Sequence, residues 1–139
     1  MADEVRLLLE RCAANALGQW DVDVAAVEFT GLRENATFRV VDAAGAAYAL
    51  RIHRLGYHTL AELTSEIEWT AALAAAGVDT PRPVMTRDGA SHATVPYGAS
   101  ETRHVGLIEW IDGESLGSVM RQTVETVDLY RRVGALLAS

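Results

Sequence analysis

The sequence predicts an α+β fold: an antiparallel sheet of about five strands packed on a main helix, with an N-terminal helix and a C-terminal helical segment. Two observations carry this. Three runs rich in Val, Phe, Thr, Tyr and Ile follow one another with only short turns between them, which is the signature of a meander. The segment Thr59–Ala76 has helical periodicity with start and stop signals at its two ends. At 139 residues, half of them apolar and 22% charged, the chain is sized for one hydrophobic core.

The elements follow in order. Asp3–Leu17 places Val5, Leu8, Leu9, Cys12 and Ala16 at helical spacing, with Asp3 as an N-cap and Gly18 as a stop. After an acidic linker containing Asp21 and Asp23 come the strands Val27–Leu32, Ala36–Val41 and Ala47–His53. Arg33-Glu34-Asn35 and Asp42-Ala43-Ala44-Gly45 supply the turns between them. Thr59 and Glu62 form a capping box for the second helix, Gly77 closes it, and Pro81 and Pro83 prevent it from resuming. Its apolar stripe is Leu60, Leu63, Ile67, Ala71 and Ala74, with Glu66 at the edge of the buried face, in reach of a partner on the sheet. Further strands are expected at Arg82–Thr86, Ala93–Tyr97 and Arg103–Ile111. A short helix around Leu116–Arg121 and a last helix from about Thr126, with Val127, Tyr130, Val133 and Leu137 on one face, complete the chain. Leu50, Ile52, Ile67 and Leu107 are the expected sheet–helix core, and Trp69 and Trp110 its packing anchors.

Composition narrows the chemistry. All twelve basic residues are arginine, so a Schiff-base lysine and the lysine of a G-x-x-x-x-G-K phosphate loop are excluded. The net charge is −7, and only residues 31–60 are net positive, with four arginines against two acids. An acidic chain with one basic hairpin is suited to a small anion such as a nucleotide phosphate rather than to nucleic acid or a membrane surface. No apolar run approaches the roughly 20 residues of a membrane span. A single cysteine, Cys12, on the apolar stripe of the first helix is read as a core residue and points to the reducing cytoplasm. The four histidines are scattered in sequence, and no metal site is expected.

Four phrases carry a family resemblance. Glu34-Asn35-Ala36-Thr37-Phe38-Arg39-Val40 is similar to a nucleotide-binding turn between two strands, and Tyr48-Ala49-Leu50-Arg51-Ile52-His53-Arg54 to the third strand of that lobe. Ser65-Glu66-Ile67-Glu68-Trp69, followed by Gly77-Val78 and Pro81-Arg82-Pro83-Val84, resembles its helix and exit, and Gly106-Leu107-Ile108-Glu109-Trp110-Ile111-Asp112-Gly113 its hinge strand. Together they resemble the N-terminal lobe of the aminoglycoside phosphotransferase and homoserine kinase type of small-molecule kinase. The resemblance implies a kinase-like N-terminal lobe over residues 1–113, with residues 114–139 beginning a second lobe.

The same resemblance implies ATP as the ligand. Arg51 would take the place of the phosphate-binding lysine, Glu66 that of the helix glutamate that holds it, and Asn35 would sit over the phosphates. Backbone groups of Glu109 and Ile111 would face the adenine. An ordinary structural ion pair between Arg51 and Glu66, and a purely turn-forming Asn35, are the alternatives. In this family the catalytic Asp follows a His by two residues in the second lobe, and none of His53, His58, His92 or His104 has an Asp at that place. The expectation is a nucleotide-binding lobe truncated before the catalytic loop and inactive alone, with Mg2+ bound only when a second lobe is complete. Two other readings stand beside it. One is a non-catalytic interaction module that forms a homodimer or binds a partner through the C-terminal helix, and the other is an unrelated α+β domain whose phrases match by chance.

Overall fold

The computed structural model describes residues 3–122 and 126–138. Its elements are α1 (Asp3–Leu17), β1 (Val24–Leu32), β2 (Ala36–Asp42), β3 (Ala47–Ile52), α2 (Leu60–Ala75), β4 (His92–Tyr97), β5 (Glu101–Glu109), α3 (Leu116–Gln122) and α4 (Thr126–Leu137). The strands form one antiparallel sheet in the order β1-β2-β3-β5-β4.

The register sorts the side chains by face. Ala36 lies opposite Ile52, Phe38 opposite Leu50, Leu50 opposite Leu107, and Ile52 opposite Val105. All of these are buried, and α1 covers them with Leu9, Cys12, Ala13, Ala16 and Leu17, which recur at i, i+3, i+4, i+7 and i+8. Burial pushes the Cys12 thiol up to about 11, so it is a packed, un-ionised group at neutral pH. Asp3 lies within the first turn of α1 beside Glu4, where a carboxylate meets the positive end of the helix, rather than before the helix as its cap.

Three expectations need correction. The run Arg82–Thr86 is not a strand: it meets β5 only at a bridge between Pro83 and Ile108, because prolines lack the N–H that a ladder requires. The sheet's apolar face goes to α1, so α2 packs on a face that carries Arg51, Gly106 and His92, and it buries only Leu63, with Ile67 half-buried. Trp69 is therefore 67% exposed and anchors nothing, and Trp110 is half-buried with the Arg39 guanidinium 5.5 Å from its ring centre. The indole that anchors the core is Trp20, which is fully buried and donates from Nε1 to the Val84 carbonyl at 2.8 Å.

Local signals hold α2 in place. The Thr59 amide donates to Glu62 Oε2 at 2.7 Å, and the Glu62 amide donates to Thr59 Oγ1 at 3.3 Å, closing the capping box. Gly77, at φ 91°, takes the left-handed conformation just past the helix end, where a side chain would be strained. Because α2 has little buried surface to hold it, its cap matters. Thr59→Ala is expected to lower stability by about 1 kcal/mol, measured as the shift of the urea midpoint, with Thr59→Ser close to wild type.

Candidate functional site

The sheet face opposite α1 carries the candidate site. Alternation along β3 turns Leu50 and Ile52 into the core and Arg51 away from it, toward α2. Glu66, one turn after the capping box of α2, meets it: Arg51 Nη1 lies 3.7 Å from Glu66 Oε1. That separation is ion-pair distance, longer than a hydrogen bond. Both groups are partly open, with 34% of the Arg51 side chain and 52% of the Glu66 side chain exposed. An open pair of this kind contributes only about 0–1 kcal/mol to folding and leaves the guanidinium able to take another anion.

Above Arg51 is an open hollow of about 590 Å3, walled by Thr30, Gly31, Arg33, Glu34, Asn35 and Thr37 of the β1–β2 hairpin. Thr30 Oγ1 donates to the Thr37 carbonyl at 2.9 Å and ties the two strands below the turn. Asn35 sits in the turn at the edge of this hollow, and its Oδ1 accepts from the Arg54 amide at 3.4 Å, which leaves its NH2 as the donor end. Arg33 brings a second cation to the hollow. The net positive charge of residues 31–60 contains it, but nothing in the spacing separates Arg33 from an ordinary turn residue.

The hinge residues lie at the other end of β5. The Glu109 amide donates to the Arg82 carbonyl at 2.8 Å, and its carboxylate accepts from the Arg82 amide at 3.2 Å, so the segment after α2 is clipped to the strand end. The Trp110 amide donates to the Ala47 carbonyl at 3.1 Å, and its indole Nε1 donates to Asp112 Oδ1. Ile111 follows with its side chain exposed.

Histidines scattered along the sequence meet behind Arg51. The rings of His53 and His92 lie 5.3 Å apart, and the His92 ring rests on Gly106, where an added Cβ would come within 3.0 Å of His92 Nε2. Burial, with Arg51 and the neighbouring imidazoles adding to it, pulls His53 down to about 4, and burial likewise lowers His92. Both rings are neutral at pH 7, which leaves Arg51 and Glu66 as the charges in the crevice beside them. An unfolded chain protonates His53 below about pH 6.5, while the folded chain resists until about pH 4. The folded state therefore loses stability as pH falls from about 6.5 to about 4. Urea midpoints measured across that window should fall steadily, and His53→Gln should flatten the slope.

With this geometry in view, comparison with known proteins decides the family. The sequence pattern of the phosphotransferase enzyme family (APH) matches residues 25–139, which takes in all of the sheet but Val24, α2 and the segment after β5. The chain belongs to the phosphotransferase enzyme family. Among solved structures, a microcompartment-associated aminopropanol kinase is 35% identical, with a TM-score of 0.67 over 78% of this chain and 33% of its own. Amicoumacin kinase hAmiN, solved in complex with AMP-PNP, Ca2+ and Ami, is 20% identical, with a TM-score of 0.69 over 84% of this chain and 35% of its own. An aminoglycoside phosphotransferase from Alicyclobacillus acidocaldarius is 15% identical, with a TM-score of 0.59 over 73% of this chain and 27% of its own. The last two likenesses speak for the fold alone. No curated protein matches. The chain thus spans about a third of the length of the solved kinases it resembles. No helix among its described residues is long and apolar enough to cross a membrane.

Proposed function

We propose that residues 1–113 are the ATP-binding lobe of a small-molecule phosphotransferase of the cytoplasm and that residues 114–139 lead into a second lobe. The observation that carries this reading is Arg51 facing Glu66 across 3.7 Å beneath the hollow formed by the β1–β2 turn. The guanidinium neutralises the nucleotide phosphates, and Glu66 keeps it pointed at the cleft. Asn35 donates from the turn to a phosphate oxygen. The Glu109 carbonyl and the backbone of Ile111 receive the adenine edge, which needs a planar donor and acceptor pair and no particular side chain.

Phosphoryl transfer needs, besides nucleotide positioning, a group that orients the acceptor hydroxyl and a metal held against the phosphates. In this reading a second lobe supplies both and selects the acceptor, so the 139 residues alone bind ATP without transferring its phosphate. Titration of the chain with ATP, followed by backbone amide shifts, tests it. Saturable shifts at Asn35, Arg51, Glu109 and Ile111 are expected, and their absence at millimolar ATP would remove the binding claim.

A second reading, a homodimer through α4, is favoured by one observation. Val127, Tyr130 and Leu137 place large apolar side chains in solvent along that helix. In the first reading a second lobe covers them, and in the second another copy does. Light scattering of the chain at high concentration separates the two, since a strict monomer ends the dimer reading.

A further inference from the structure

A second cavity lies on the α1 side of the sheet, behind the β1–β2 turn. It has a volume of about 260 Å3, with Val5 and Leu9 of α1, Ala36 and Ile52 making its floor apolar. Arg33, Arg54 and Arg103 stand around it, with Glu34 as the acid among them. Among the described residues, two buried side-chain nitrogens have no hydrogen-bond partner, His53 Nδ1 and Arg103 Nε. Both residues line this cavity, although His53 also borders the crevice beside Arg51. Buried polar atoms without partners are uncommon in folded proteins and point to a missing ligand or water.

Size and charge define the class of occupant. At about 260 Å3 against about 590 Å3 for the hollow above Arg51, the cavity suits a ligand smaller than a nucleotide. Arg103 is already shared with Glu101 at 2.9 Å, and Glu34 offsets one of the remaining two arginines. A surplus of about one positive charge suits a monoanion better than a doubly charged phosphate. The apolar floor suits a short hydrocarbon body, and arginine takes a carboxylate in preference to a neutral group.

We propose that this cavity is a second ligand site, on the α1 side of the β1–β2 turn and sharing Arg33 and Glu34 with the hollow above Arg51, that takes a small monocarboxylate with a short apolar chain. Hexanoate is the probe, with inorganic phosphate alongside it, titrated into the 139-residue chain with and without AMP-PNP while backbone amide shifts are followed. The expected result is saturable shifts at Leu9, Ala36 and Ile52 with hexanoate, retained when AMP-PNP is present and weaker with phosphate. Arg103→Met should weaken hexanoate binding about tenfold, the loss of one hydrogen bond to a charged group. Arg103 also stacks on Tyr97 at 4.4 Å, so Arg54→Gln, at an exposed rim position, serves as a second variant and should weaken binding in the same direction. Failure to saturate, displacement by AMP-PNP, tighter binding of phosphate, or unchanged binding in both folded variants would each overturn the proposal.

Discussion

Trp20→Ala is expected to destabilise the chain by about 3–5 kcal/mol, the largest effect of any single substitution considered for folding. The indole is fully buried in the cluster that joins α1 to the sheet. Its Nε1 donates to the Val84 carbonyl, and the Val84 amide in turn donates to the Leu107 carbonyl on β5. The neighbouring Gln19 carbonyl accepts from the Arg87 amide at 2.9 Å. Trp20 therefore does two jobs: it fills the end of the core, and it pins the irregular segment after α2 onto the sheet. Truncation opens a cavity and also leaves the Val84 carbonyl without its partner. Urea unfolding measures the loss. Trp20→Phe should recover most of the packing but not the hydrogen bond, and a change below about 1 kcal/mol for Trp20→Ala would mean that the pin is not there.

Arg51→Ala is expected to weaken ATP at least tenfold while leaving the ligand-free chain within about 1 kcal/mol of wild type. The two numbers follow from one geometry. Its partner Glu66 lies at ion-pair distance and half in water, so little folding energy resides in the pair. Against a bound phosphate, in the proposed reading, the same guanidinium would make a charge-assisted contact in the open hollow above it. Calorimetric titration with ATP and a urea melt without it, on the same preparation, give both values. A structural ion pair predicts the reverse pattern: a weaker fold and unchanged ATP affinity. Arg51→Lys keeps the charge but not the planar fork, so it should fall between the two.

Much of the frame was legible because the signals that build it are local. Thr59 and Glu62 are three residues apart, and the capping box they make needs no knowledge of the rest of the chain. The Asp42–Gly45 turn is similar, with Asp42 Oδ1 accepting from the amides of Ala44 and Ala46. Periodicity also located both helices, but it could not tell which of them receives the apolar face of the sheet. That choice depends on which side of β3 carries Leu50 and which carries Arg51, and it is why Trp69, on a well-formed stripe, ended in solvent. Trp20 was missed for the opposite reason: it lies in a short linker with no period at all, and its partner is 64 residues away.

The candidate site divides along the same line. The place of Glu66 at the edge of α2 was readable from helical spacing, and its pairing with Arg51 was implied by the family resemblance; the two do meet. The bond from the Arg54 amide to Asn35, the clip between Glu109 and Arg82, and the meeting of His53 with His92 over Gly106 all join distant stretches of chain. A linear pattern carries no record of such contacts.

The three tryptophans end in three different solvents: Trp20 in hydrocarbon, Trp69 in water, and Trp110 at the hinge beneath a guanidinium. The chain therefore carries its own optical probes. Trp20 should emit at the blue end and redden only when the core opens. Trp69 should be the indole that a soluble quencher reaches first. Trp110, next to the strand end assigned to the adenine, should be the one whose emission changes when the cleft fills, so that folding and binding can be followed separately by light without attaching a dye.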